Sequence, residues 1–104
     1  MIVWSDKLYI GEQAEKNSEK LKKKLEAGKI LPDVYLITKP SNEENLFDIL
    51  PAKELLFPYY KRREVFVYGL AKGRTEAEEL LIVILEDVCR TKGGLLCKEF
   101  FEEV

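Results

Sequence analysis

The sequence predicts a single small α/β domain over residues 1–104, with a mixed, mostly parallel sheet of three to five strands covered by helices. The helices are expected to complete a two-layer or three-layer α/β sandwich. The length suits one domain with one core, and strand-like apolar runs alternate with helical segments. The stretch Glu64–Arg90 reads as a buried strand, a glycine-bearing turn and a long apolar helix.

The strand and helix of this stretch are the centre of the predicted fold. Val65–Tyr68 consists of β-branched and aromatic residues without polar alternation, which is typical of a strand covered on both faces. The helix is predicted to begin at Thr75, whose hydroxyl forms a capping box with Glu78. Leu80–Leu85 is a run of six apolar residues. We therefore expect this helix to be largely buried, or to pack a second face against a partner.

Two short apolar runs open the chain, Ile2–Trp4 and Leu8–Ile10. They predict either a hairpin or one strand with an irregular lead. Gly11 then leads into a helix predicted over Glu12–Ala27 and ended by Gly28. Because the apolar stripe of this helix is narrow, we expect one face to pack on the sheet and the rest to contact water.

The middle of the chain is divided by prolines. Val34–Thr38 is apolar almost throughout and is predicted to lie beside the central strand. Ser41–Glu44 offers a second capping box, and the proline at 51 either kinks the helix it opens or begins a separate helix over Pro51–Phe57, which we favour. Pro58 ends that segment, and Tyr59–Arg63 is expected to be a linker.

The end of the chain, Leu95–Phe101, follows two glycines and is predicted to be an edge strand, with a short final helix as the alternative. The element order is therefore β(β)αβαβαβ, with right-handed crossovers.

Ligands bind open parallel sheets at the carboxyl ends of the strands. The corresponding loops here are Gly11–Gln13, Thr38–Asn45 and Gly69–Thr75.

Composition narrows the classes of function. The net charge is −2, from 17 basic and 19 acidic residues, so no general attraction to nucleic acid or to a membrane is predicted. The chain has no histidine, and its two cysteines, Cys89 and Cys97, are too few for a zinc site or a disulfide framework. No signal peptide or membrane span is recognised. We expect a cytoplasmic protein without metal or cofactor.

The first candidate site is an anion-binding loop between the central strand and the last helix. It combines two glycines, two cations and a hydroxyl at a helix start, and its residues are Gly69, Lys72, Gly73, Arg74 and Thr75. Backbone N–H groups in such a loop can hold a phosphate. The spacing matches neither the P-loop nor the dinucleotide fingerprint. A strand-to-helix turn that needs glycine is the structural alternative.

The second candidate site is an interaction surface made of aromatic and basic residues: Phe57, Tyr59, Tyr60, Lys61, Arg62 and Arg63. Aromatic rings beside cations can stack bases and neutralise phosphates. The alternative is a helix end whose aromatics pack on the core. A second basic cluster comprises Lys20, Lys22, Lys23 and Lys24, whose spacing to glutamates predicts a solvated, salt-bridged helix.

The third candidate site is a set of carboxylates expected near one edge of the sheet: Glu12, Glu43, Glu44, Asp48 and Glu76. Paired carboxylates can hold Mg²⁺ or act as acid and base. Acids also favour helix starts for structural reasons alone. We therefore assign no metal ligand and no catalytic residue here. Cys97 has no histidine to activate it and is not assigned as a nucleophile.

No constellation in the sequence is specific to one reaction, so an enzyme is not favoured. The leading hypothesis is a small soluble, non-catalytic interaction or regulatory module that self-associates or binds another protein. Its basis is the apolar excess in Leu80–Val88 and Phe57–Tyr60, which exceeds what so short a chain can bury. The alternative is a domain, either an enzyme or a binding domain, that binds a small anion or nucleotide at Gly69–Thr75. The third hypothesis is weak nucleic-acid binding through Tyr59–Arg63.

Overall fold

The computed structural model describes residues 2–39, 47–61 and 63–92. In these ranges the chain is a mixed α/β domain with a four-stranded sheet, as predicted at that level. The elements in order are β1 (Ile2–Ile10), α1 (Glu12–Glu15), α2 (Ser18–Glu26), β2 (Val34–Thr38), β3 (Asp48–Pro51), a 3₁₀ helix (Ala52–Leu56), α3 (Pro58–Lys61), β4 (Val65–Lys72) and α4 (Arg74–Lys92). The two-layer or three-layer arrangement stays a prediction.

The sheet is mixed rather than mostly parallel. Its described strands lie in the order β1-β4-β2-β3. β1 runs parallel to β4, whereas β2 is antiparallel to both of its neighbours, β4 and β3. The prediction of a mostly parallel sheet is therefore wrong. An apolar run indicates a strand covered on both faces, but it carries no information about the direction of that strand.

The two strands expected at the centre of the sheet do lie there. β4 is hydrogen-bonded to β1 and β2, and β2 is hydrogen-bonded to β4 and β3. Consecutive residues of a strand point to opposite faces, and Leu36 and Ile37 of β2 are both fully buried, each in a different cluster of core side chains. Both faces of this strand are therefore covered, as its apolar sequence predicts.

The two clusters join different helices to the sheet. The first includes Ala14 of α1, Leu25 of α2, Ala52 of the 3₁₀ helix, and Leu36, Val65 and Val67 of the strands. The second includes Ile37 and Ala71 of the strands and four residues of α4: Ala77, Leu80, Ile84 and Val88. The spacing of three or four residues along α4 places these side chains on one helical face. The prediction that α4 is largely buried therefore holds for this face.

Gly69 lies inside β4, directly beneath α4. A Cβ atom at this position would lie 3.1 Å from the Cβ of Ile37 and 3.2 Å from a methyl carbon of Leu80. Glycine thus allows the helix to approach the sheet closely. The sequence places the end of the strand at this glycine, but the strand continues to Lys72.

The predicted helix start is displaced by one residue. α4 begins at Arg74 after Gly73, whose φ of 89° suits glycine. Thr75 therefore lies inside the first turn, and the Glu78 carboxylate accepts a hydrogen bond from Arg74 Nε at 3.2 Å. The capping box predicted between Thr75 and Glu78 is wrong, because the glycine rather than the threonine precedes the helix.

Two predictions concern the N-terminal region. The first two apolar runs form one strand, β1, with an irregularity between Trp4 and Tyr9 rather than a hairpin. The helix predicted over Glu12–Ala27 is divided into α1 and α2. The division falls at Asn17, whose φ and ψ of −134° and 27° are not helical. Asparagine is a weak helix former that competes locally for backbone hydrogen bonds, which explains the break.

The segment around Pro51 is an edge strand, not the start of a helix. Asp48–Pro51 pairs antiparallel with β2, and Pro51 lies opposite Tyr35. Proline is tolerated at an edge because that position needs no N–H on its outer side. The predicted linker after Pro58 contains α3, and the 3₁₀ helix replaces the predicted helix over Pro51–Phe57. Ser41–Glu44 and Leu95–Phe101 lie outside the described residues.

Candidate functional site

In the turn between β4 and α4, the side-chain carboxylate of Glu76 accepts two hydrogen bonds from backbone N–H groups. Oε1 of Glu76 accepts a hydrogen bond from the backbone N–H of Gln13 at 2.5 Å, and Oε2 accepts one from the N–H of Lys72 at 2.6 Å. The carboxylate lies against Gly11, where an added Cβ would be 2.5 Å from Glu76 Cδ. Glu76 therefore ties α1 and the end of β4 to the first turn of α4.

The residues predicted to bind an anion have partners within the chain. The N–H of Gly73 donates to the carbonyl of Asp33 at 2.6 Å, and Lys72 Nζ lies 3.9 Å from the carboxylate of Asp33. Arg74 pairs with Glu78. Gly69 and Thr75 lie within the strand and the helix respectively. A ligand would have to compete with these contacts, so anion binding at this loop stays a prediction.

Of the three loops expected at one edge of the sheet, two begin side by side, and the described start of the third, Thr38, lies elsewhere. Gly11 donates to the carbonyl of Leu70 at 2.8 Å, so the ends of β1 and β4 are adjacent. Thr38 ends β2 at the opposite edge, opposite Asp48, because β2 runs antiparallel to β4. The expectation that Asp48 and Glu76 share one edge is therefore wrong. Glu43 and Glu44 lie outside the described residues.

The aromatic and basic segment lines a polar cleft of about 400 Å³. Tyr59, Tyr60 and Arg63 form one wall. The other lining residues come from the strands and the 3₁₀ helix: Thr38, Lys39, Asp48, Ile49, Leu50, Glu54, Glu64, Val65 and Phe66. The sequence predicted Tyr59, Tyr60 and Arg63 as candidate site residues but not the other lining residues, because only the sheet topology brings those together.

Cations lie on aromatic faces in this polar cleft. The guanidinium carbon of Arg63 is 4.4 Å from the ring centre of Tyr59, and Nζ of Lys39 is 5.3 Å from that of Phe66. Such cation–π contacts use the negative face of the ring. Tyr59 and Tyr60 meet edge to face, with ring centres 4.9 Å apart. Lys61 ends α3, and Arg62 lies outside the described residues.

A second, apolar cleft of about 530 Å³ adjoins the polar one. It is lined mainly by aliphatic side chains: Ile2, Leu25, Ala52, Leu55, Leu56 and Val65. Tyr60 and Val65 line both clefts. Burial, followed by the charge of Glu54, raises the pKa of the Tyr60 phenol above its ordinary value. Tyr60 therefore lies between the apolar cleft and the polar cleft.

The outer face of α4 carries exposed apolar side chains. Ile82 is 56% exposed and Val83 is 46% exposed. The exposed glutamates Glu79 and Glu86 lie on either side of them along the helix. In the described part of the chain the other large exposed apolar residues are Ile30, Phe57 and Tyr59. Four of these five residues fall within the stretches whose apolar excess was identified from the sequence.

A polar cluster joins β1 to the end of α4. The Tyr9 hydroxyl donates to the Asp87 carboxylate at 2.7 Å, and Arg90 also donates to this carboxylate. The hydrogen bond from Tyr9 is the main cause of the lowered pKa of Asp87. Burial, together with this bond, raises the pKa of Tyr9 above its ordinary range. The cluster fixes the irregular strand against the helix.

Within residues 2–39, 47–61 and 63–92, no three potential metal ligands cluster together. None of the helices in these ranges combines the length and the apolar content needed to cross a bilayer. In α2, Lys20 and Lys23 are exposed, as predicted, whereas Lys22 and Lys24 are half-buried. Lys22 lies 3.8 Å from Glu19 and over the ring of Trp4. Comparisons of the chain with protein-family models, curated proteins and solved structures found no match.

Proposed function

We propose that the protein is a non-catalytic interaction module that self-associates through the outer face of α4. The observation that carries this proposal is the exposure of Ile82 and Val83, at 56% and 46%, on a helix whose opposite face is buried. Apolar side chains exposed next to each other favour burial against a partner. The cytoplasmic location and a second interaction surface at Phe57–Arg63 stay predictions.

The partner proposed for this face is a second copy of the chain. In a two-fold arrangement each residue contributes twice. Burying a whole isoleucine or valine side chain is worth about 1.5–3 kcal/mol, so the exposed half of each contributes about 1 kcal/mol. Four such side chains give about 4 kcal/mol, which corresponds to roughly three decades in the dimer Kd.

The flanking acids make the proposal specific. If two copies of α4 pair antiparallel about Ile82 and Val83, Glu79 of one copy approaches Glu86 of the partner subunit. Like charges in proximity repel each other, and salt screens this repulsion. Self-association is therefore expected to strengthen as NaCl rises from about 0.05 to about 0.5 M, whereas an interface built on ion pairs would weaken.

Sedimentation velocity over a concentration series tests the proposal. Ile82→Gln/Val83→Gln should raise the dimer Kd by roughly three decades. Glutamine is at least as good a helix former as isoleucine or valine, so the fold should persist. Ile30→Gln is the matched control, because it also removes an exposed apolar side chain, 65% exposed, away from α4. A wild-type chain that stays monomeric at high micromolar concentration would contradict the proposal.

A second candidate function is anion binding at the turn before α4. The observation that favours it is the convergence of the Gln13 and Lys72 N–H groups on one carboxylate, that of Glu76. Backbone donors that hold a side-chain carboxylate can also hold a phosphate oxygen. Thermal denaturation with inorganic phosphate should show a larger stabilisation of Glu76→Ala than of the wild type. Equal shifts would remove this candidate.

A further inference from the structure

We infer that the two clefts on either side of Tyr60 form one site for an amphipathic organic amine, with its ammonium group in the polar cleft and its apolar chain in the apolar cleft. Tyr60 and Val65, which line both clefts, belong to the cluster that includes residues of α1, α2 and the 3₁₀ helix, whereas Ile49 of the polar cleft packs against the other cluster. None of the described residues that line either cleft belongs to α4. The inference is therefore independent of self-association through α4.

The polar cleft favours a cation. Among the described residues, its charged lining side chains are three acids, Asp48, Glu54 and Glu64, and two bases, Lys39 and Arg63. In the described parts of the chain, neither Glu54 nor Glu64 lies within ion-pair distance of a base. An ammonium group can pair with Glu54 or Glu64, whereas both acids would repel a carboxylate or a phosphate.

The aromatic lining supports the same ligand chemistry. Arg63 and Lys39 already lie over the rings of Tyr59 and Phe66, so these rings accept cations, and a ligand ammonium would have to displace one of the two to use the same face. Carboxylates combined with aromatic faces are the groups by which proteins recognise alkylammonium ions. Tyr60 lines both clefts, so its ring is placed to contact the apolar chain of the ligand.

The apolar cleft indicates that the rest of the ligand is an apolar chain. Its volume of about 530 Å³ and the 400 Å³ of the polar cleft are both within the range of small-molecule sites. Because Tyr60 and Val65 line both clefts, the two clefts are adjacent, and the inferred ligand would extend past these two residues from one cleft to the other. A wholly apolar ligand would leave the acids uncompensated, and a small polar amine would leave the aliphatic lining exposed.

Calorimetric titration with three probes of equal chain length tests the charge preference. These are n-octylamine, n-octanol and n-octanoate, used below the concentrations at which they form micelles. We expect octylamine to bind at least tenfold more tightly than octanoate, with octanol between them. Octanoate binding as tightly as octylamine, or no octylamine binding up to millimolar concentration, would overturn the inference.

Three variants assign the two halves of the site. Glu54→Gln should weaken octylamine about fivefold and leave octanol unchanged, because it removes one charge from a partly exposed carboxylate. Leu56→Gln, in the apolar cleft, should weaken both probes. Glu79→Gln is the control, since it makes the same change of charge on the exposed face of α4. An equal effect of Glu79→Gln and Glu54→Gln would refute a specific role for the polar cleft.

Ile82→Gln/Val83→Gln separates this inference from the proposed self-association. The variant should bind octylamine as the wild type does, whether or not its oligomeric state changes. Loss of octylamine binding in this variant would show that the site depends on assembly, against the inference. Far-UV circular dichroism on every variant confirms that the fold is retained before the affinities are compared.

Discussion

Gly11 and Glu76 are predicted to act as one unit in the stability of the fold. Gly11 has φ −66° and ψ 156°, which alanine adopts without strain. The obstacle to alanine is the side chain of Glu76, whose Cδ would lie 2.5 Å from the new Cβ. Gly11→Ala should therefore displace the Glu76 carboxylate from its two backbone donors, without other damage.

The expected magnitudes follow from the hydrogen bonds. Two charge-assisted bonds to backbone N–H groups at a partly exposed site are worth about 1 kcal/mol each, so Glu76→Ala should cost about 2 kcal/mol. Gly11→Ala loses the same bonds but gains about 0.7 kcal/mol from a less flexible unfolded chain, a net cost of about 1.3 kcal/mol. The double variant should also cost about 1.3 kcal/mol, which is about 2 kcal/mol less than the sum.

Urea denaturation followed by circular dichroism at 222 nm measures this cycle, since the expected differences exceed the error of the method. Gly11→Ala combined with Glu79→Ala is the control pair, because Glu79 lies on the exposed face of the same helix. That pair should be additive within about 0.4 kcal/mol. If Gly11→Ala has the same effect with and without Glu76, the carboxylate does not hold the two donors as the structure indicates.

The remaining predictions concern single contacts, measured by urea denaturation. Tyr9→Phe should lower the free energy of unfolding by about 1 kcal/mol near neutral pH. The raised pKa of Tyr9 means that its stabilisation is complete below about pH 10 and is lost progressively above it, as the unfolded chain ionises first. The lowered pKa of Asp87 means that its contribution is lost as the pH falls below about 4, so Asp87→Asn should matter less in acid. Gly69→Ala should cost about 1–3 kcal/mol, because its Cβ would lie 3.1 Å from the nearest side-chain carbon. Trp4→Phe should lower the free energy of unfolding by about 1 kcal/mol, because it removes the 2.7 Å hydrogen bond from Trp4 Nε1 to Glu26.

The elements that burial determines were predictable from the sequence. Val34–Thr38 has the predicted bounds, and Val65–Tyr68 lies in the middle of the sheet. In both cases an uninterrupted apolar run needs cover on both faces, and a central strand provides it. Strand direction was not predictable, because the apolar pattern of a strand is the same when its direction is reversed.

The elements that depend on one or two residues were harder to predict. Asp48–Pro51 is too short to show a period, and its proline suits an edge strand as well as a helix start. Asn17 divides a helix whose composition otherwise favours continuity. At the start of α4, the predicted boundary was Thr75, but the helix begins at Arg74, directly after Gly73. The glycine precedes the helix because its positive φ makes the turn out of β4.

The candidate site was predictable only in the part that is continuous in sequence. Tyr59, Tyr60 and Arg63 stand out as an aromatic and basic segment, but the groups opposite them come from separate strands. Asp48 and Val65 reach the same cleft because β2 pairs with β3 on one side and with β4 on the other. A site formed across three strands leaves no spacing in the sequence, so its signal appears only with the topology.

The position of β2 also explains why the two proposed surfaces can work separately. Its consecutive residues Leu36 and Ile37 are fully buried, Leu36 in the cluster that Tyr60 packs against and Ile37 in the cluster that includes α4 residues. α4 is one long helix that packs against the strands along its buried face. The other face of the sheet is covered by short helices, which leave room for clefts between them. A long apolar helix thus favours a flat contact surface, and the short helices favour a pocket, on one small domain.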